Sequence, residues 1–143
     1  MTISQLSIFA ENKPGAIAEI TDALGVAGVD IRAMSIADTS DFGIFRLIVN
    51  HTDDAKKALT DLGCIVSVTP VIAVMIPDDP GALNDILKLF SENEINVEYM
   101  YAFVTISKQN AYAVIRVEDN DKAVKLLTEK GIKLLTDEDI QKL

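Results

Sequence analysis

Residues 11 to 20 read "ENKPGAIAEI", and residues 77 to 86 read "PDDPGALNDI". Both stretches place a Pro-Gly pair where an extended apolar run gives way to a helical one. Upstream of the first lies Ile3 to Ala10, which reads as a strand. Downstream, Ile17, Ile20, Leu24 and Ala27 fall on one stripe of a helix that fails at Gly25 and Gly28. "VDIRAMSIA" then predicts a second strand, "DTSDFG" a turn and "IFRLIVN" a third strand. Thr52 or Asp53 is placed to cap a second helix with the stripe Ala55, Ala58, Leu59 and Leu62, ended by Gly63. "CIVSVT" is a fourth strand.

The second half repeats this order. Shifted by 66 residues, Pro14, Gly15, Ala16, Ile17, Ile20 and Leu24 meet Pro80, Gly81, Ala82, Leu83, Ile86 and Phe90. From the third strand the shift becomes 68, so that Val49, Asp53, Ala55, Leu59 and Gly63 meet Val117, Asp121, Ala123, Leu127 and Gly131. One two-residue insertion in a hairpin loop accounts for the change, and a match of this length marks an internal duplication. The predicted fold is α+β: two tandem ferredoxin-like βαββαβ units, residues 1–69 and 70–143. Each is a four-stranded antiparallel sheet with two helices on one face. Units of this size are marginal alone, so each needs cover for its second sheet face.

The 143 residues are 49% hydrophobic, which fits a packed globular chain. The net charge of -9 comes without a concentrated basic patch and speaks against nucleic-acid binding. Apolar runs such as "VIAVMI" are too short to cross a bilayer, and "MTISQLSIFAENK" lacks the features of a signal peptide. A lone Cys64 fits a reducing cytoplasm.

At each Pro-Gly pair the first helical N–H groups lack internal acceptors and sit at the positive end of the helix dipole. Proline fits the first turn, and glycine lets another group approach the backbone. The corner therefore suits a carboxylate or phosphate, though a plain helix start is the simpler reading of either pair alone. Matching polar residues strengthen the first reading: Asn12 and Asp78 in the turns, Asp30 and Asn96 before the next strands.

The pattern "ENKPGAIAEITDALGVAGVDI", followed by two strands and a helix, resembles an ACT domain, as does "DDPGALNDILKLFSENEINV". The resemblance covers nearly the whole chain as two tandem units. It implies a non-catalytic sensor that binds a free amino acid at a domain–domain interface, acts as a homodimer, and regulates a partner such as an enzyme of amino-acid metabolism. The implied site comprises Asn12, Lys13, Pro14, Gly15, Ala16, Ile17, Asp30, Ile31 and Met34. The turn amides of Lys13, Gly15 and Ala16 would take the carboxylate, and Asn12 with Asp30 the ammonium. A second, weaker site or pocket wall comprises Asp78, Asp79, Gly81, Ala82, Leu83, Asn96, Tyr99 and Tyr101. Its two aspartates would repel a carboxylate that Lys13 attracts.

"VEYMYAF", residues 97–103, puts Tyr99, Tyr101 and Phe103 on one strand face with Val97, as core or as a half-wet pocket wall. His51 reads as a solvated loop residue and Cys64 as a small hydrophobe. "TDEDIQKL" reads as a helix start and solvated tail. No metal-ligand, phosphate-loop or Ser-His-Asp pattern emerges, so no cofactor, metal or catalytic residue is expected. An interaction subunit without a metabolite is the alternative, and an unrecognised small enzyme a weaker one.

Overall fold

The computed structural model describes residues 1–38, 41–104 and 109–143. The first unit runs β1 (Ile3–Glu11), α1 (Ala16–Val26), β2 (Ile31–Asp38), β3 (Phe42–Val49) and α2 (Thr52–Asp61). A long β4 (Val66–Pro77) follows. The second unit continues with α3 (Ala82–Glu92), β5 (Val97–Ala102), β6 (Asn110–Val117), α4 (Asn120–Glu129) and α5 (Asp137–Lys142). The expected "DTSDFG" turn and the two-residue insertion lie in part outside the described residues.

The two ferredoxin-like units are present, but their sheets are not separate. One antiparallel six-stranded sheet runs β2-β3-β1-β4-β6-β5. Its centre is β4, which merges the expected strands "CIVSVT" and "VIAVMI". Val66 to Val71 pair with β1, and Ile72 to Pro77 pair with β6 on the other edge. Pro70, which has no N–H to offer, sits near the end of the β1 ladder, where a missing donor costs least. The fourth strand of the second unit shrinks to a single bridge between Val74 and Leu134. That segment and β1 lie end to end along one edge of β4, which leaves no room for a longer ladder.

Alternation sorts the strands onto two faces. Leu6, Ile8, Phe45 and Leu47 pack with Ile20, Leu24, Ala55 and Leu59 beneath α1 and α2. Ile72, Val74, Ile115 and Val117 pack with Ile86, Phe90, Ala123 and Leu127 beneath α3 and α4. The helix-free face supplies a third cluster with members from both units: Ile3, Ile48, Val71, Ala73 and Val114, with Ala33 against Phe103. The edge strands β2 and β5 meet there, through an Ala33–Phe103 bridge and a 2.9 Å bond from Val104 N–H to Arg32 O. The sheet thus curls until each unit covers the other.

Two local readings change. A register shift in β5 between Val97 and Tyr99 turns Val97 toward α3 and α4, so it does not share a face with Tyr101 and Phe103. The C-terminal "TDEDIQKL" is docked rather than solvated: Ile140 is 2% exposed in the third cluster. Thr136 caps α5 through a reciprocal bond with Asp139. Arg32 then holds the far end, donating to the carbonyls of Ile140 and Gln141, both at 3.1 Å, while paired with Asp30 at 2.6 Å.

Candidate functional site

Both Pro-Gly corners adopt the same conformation. Gly15 and Gly81 are the helix N-caps, each at φ 87°, a left-handed geometry that favours glycine. A Cβ on either would meet none of the described residues within 4 Å, which leaves the space above each glycine open among them. Asn12 to Gly15 and Asp78 to Gly81 are exposed.

The amides differ from expectation in one respect. Lys13 N–H is taken by Glu11 O at 2.9 Å and Ala16 N–H by Lys13 O at 3.3 Å, closing the turn on itself. Gly15, Ile17 and Ala18 are the amides that take no acceptor among the described residues, as are Gly81, Leu83 and Asn84 in the repeat. The donor set therefore sits one step further into the helix, and Ala18 and Asn84 join it. Sequence alone shows four orphan amides per helix but not which ones a tight turn consumes.

Beside each corner is a cleft, of about 240 Å³ in the first unit and about 270 Å³ in the second. Asn12, Lys13, Ile17, Ile36 and Gly43 line the first. Their repeat counterparts, Asp78, Asp79, Leu83, Ala102 and Ala111, line the second together with Tyr101. Ile36 and Gly43 carry no local signal in the sequence, because each is a cross-strand neighbour 21 residues or more from the turn. At the rim, Lys13 pairs with Glu11 at 3.2 Å, whereas no ion pair serves Asp78 or Asp79 among the described residues.

Asp30 and Ile31 do not join their own corner. Ile31 pairs with Val49 and Glu11 with Phe42, so the start of β2 and the end of β1 lie at opposite ends of β3. A right-handed β-α-β crossover returns the chain to the end from which it set out. By the same geometry Val97 faces Val117 while Pro77 faces Asn110, and Asn96 is likewise remote from its turn. Asp30 is engaged elsewhere, with Arg32, and its N–H donates to Asn50 Oδ1 at 2.9 Å. Met34 is half exposed on β2, opposite Leu47 and outside the cleft.

Tyr99 and Tyr101 form an inter-unit clasp. Gln5, fully buried, donates to the Tyr99 hydroxyl at 2.9 Å and to Ser7 Oγ at 3.1 Å, and accepts from the Tyr101 hydroxyl at 2.7 Å. The Arg46 guanidinium lies 3.9 Å from the Tyr99 ring centroid. Burial first, then the neighbouring Tyr99, pushes the Tyr101 hydroxyl above its ordinary range, with Arg46 opposing. These tyrosines are thus fixed donors and acceptors between units, with Tyr101 also walling the second cleft. His51 is exposed at the N-cap of α2 and makes no capping bond, whereas its counterpart Asp119 caps α4 through Lys122 N–H at 3.1 Å.

Among the described residues no three His, Cys, Asp or Glu side chains cluster as metal ligands, and no helix is long and apolar enough to cross a membrane. No curated protein matches the chain in sequence. Among solved structures, protein BT0572 from Bacteroides thetaiotaomicron is similar at 40% identity with a TM-score of 0.93, over 100% of this chain and 98% of that one. The regulatory subunits of aspartate kinase from Thermus thermophilus and Thermus flavus share the fold at 16% and 17% identity, with TM-scores of 0.64 and 0.59. Each comparison covers 88% of this chain and 90% of the other. The match to the ACT domain pair spans residues 1–143, and with the twin corners and the fused ferredoxin-like units it places this chain in that family.

Proposed function

We propose that the chain is a non-catalytic regulatory module of the cytoplasm, built of units 1–69 and 70–143, that binds a free amino acid at a Pro-Gly corner. It would act as a homodimer and signal to a separate enzyme or regulator of amino-acid metabolism. The carrying observation is the repetition of one open geometry in both units: a left-handed glycine, three amides with no acceptor among the described residues, and an adjoining cleft. Such a corner is fitted to a carboxylate. Regulatory subunits of aspartate kinase share the fold, which supports a regulatory role. Lys13 favours the first corner, and Asp78 and Asp79, which have no ion-pair partner among the described residues, disfavour the second.

Affinity between about 10 μM and 1 mM requires only about 4 to 7 kcal/mol. A few charge-assisted hydrogen bonds at about 1.5 to 3 kcal/mol each and a modest apolar contact suffice. Binding regulates only through different affinities for two states of the assembly. Thermal denaturation with each of the twenty amino acids tests the reading. A ligand at about 100 times its Kd adds about 2.7 kcal/mol of stability. Gly15→Val, which fills the open space above the corner, should abolish that gain. No stabilisation by any amino acid at millimolar concentration would leave an interaction subunit without a metabolite.

A further inference from the structure

A third cavity, of about 550 Å³, opens on the other side of the first corner. Small-ligand pockets commonly measure about 300 to 1,000 Å³, a range that this cavity meets and the two clefts do not. Its walls include Phe9, Phe42, Leu62 and Ile65, and Lys13 and Glu19 stand at its lining. Those four side chains are among the large hydrophobics left exposed, Ile65 at 72%. Burial, with Glu19 adding to it, pushes the Cys64 thiol up, so Cys64 contributes neutral wall.

The duplication supplies an internal control. The backbone at this point is the same in both units: Phe9 N–H bonds Ile65 O at 3.2 Å, and Met75 N–H bonds Lys133 O at 3.0 Å. Yet the counterparts of Phe9, Phe42, Leu62 and Ile65 are Met75, Asn110, Lys130 and Lys133. The fold accepts polar residues at three of these four positions, so folding does not require the apolar set in the first unit. Exposed apolar side chains that the fold does not need point to something they contact.

We infer that this cavity is the side-chain pocket of the first-unit site, selecting an amino acid with a large apolar side chain. Lys13 meets the carboxylate, in competition with Glu11, and Glu19 meets the ammonium. The second unit, with lysines in place of Leu62 and Ile65, has no such selectivity. The inference rests on the amino-acid reading above and adds the ligand class and the unit.

Calorimetric titration of the full chain with L-phenylalanine and with glycine tests it. Phenylalanine should bind at least tenfold more tightly than glycine. Leu62→Lys with Ile65→Lys installs residues that the same backbone carries in the second unit, and should remove most of that preference. The control Lys133→Asp should leave it unchanged. A preference for glycine or serine, or an undiminished preference in the folded double variant, would overturn the inference while leaving amino-acid sensing intact. Failure of all twenty amino acids to bind would overturn the sensing function itself.

Discussion

The Tyr101 hydroxyl, from the second unit, donates a 2.7 Å hydrogen bond to Oε1 of Gln5, a fully buried residue of the first. Tyr101→Phe leaves that oxygen without a donor in a site shielded from water. The expected loss of stability is about 1 to 3 kcal/mol, read from urea denaturation. Gln5→Leu should cost a similar amount by stranding two tyrosine hydroxyls. The double variant should cost less than the sum, because the partners are removed together.

Truncating Ile140 should be the most damaging change in the C-terminal segment. This side chain is 2% exposed and belongs to the cluster shared by both units. Ile140→Ala should lower stability by about 2 to 5 kcal/mol. Arg32→Ala should be milder in global unfolding. Its signature is faster amide exchange in α5, whose last carbonyls lose their donor.

Acidification should loosen α5 before the sheet. Asp139, the capping-box partner of Thr136, is held below the ordinary carboxylate range, first by the Thr136 N–H and then by the Thr136 hydroxyl. A carboxylate with a depressed folded-state pKa contributes stability above its unfolded-state pKa. That contribution is lost as pH falls through the folded value. Exchange protection in α5 should therefore decline below about pH 4, where unperturbed Asp titrates. Asp139→Asn should flatten the dependence.

Two glycines of one helix should respond in opposite directions to alanine. Gly15 sits at φ 87°, where an L side chain is strained, and Gly15→Ala should cost about 1 to 2 kcal/mol. Gly25 lies inside α1 with no atom within 4 Å of a built Cβ, so Gly25→Ala should stabilise by about 0.5 to 1 kcal/mol. Thermal denaturation of both variants decides this.

The duplication, the helices and the corners were legible because their signals are local: periodicity, Pro-Gly pairs and a constant offset. What the sequence hid depends on distant partners. Gln5 and Tyr101 are 96 residues apart, and Arg32 meets Ile140 across 108. The fusion of two expected strands into β4 is masked by Pro70, which reads as punctuation until its place near the end of the β1 ladder is known. Val97 leaves the face that strict alternation predicts, because a bulge breaks the period of two without altering composition. The distance of Asp30 from its own turn is hidden in the sequence, because the order of elements is readable there while the direction of travel through a crossover is not.

Because one continuous strand, β4, carries the first half's sheet directly into the second's, no swivel point separates them within one chain. Under the proposed function, an amino acid bound at one corner would meet no loose joint within the chain, and the association of whole molecules is where its effect should be sought. For the same reason, a gene cut at Pro70 would yield two fragments that each lack a wall, and neither should fold until the other is supplied.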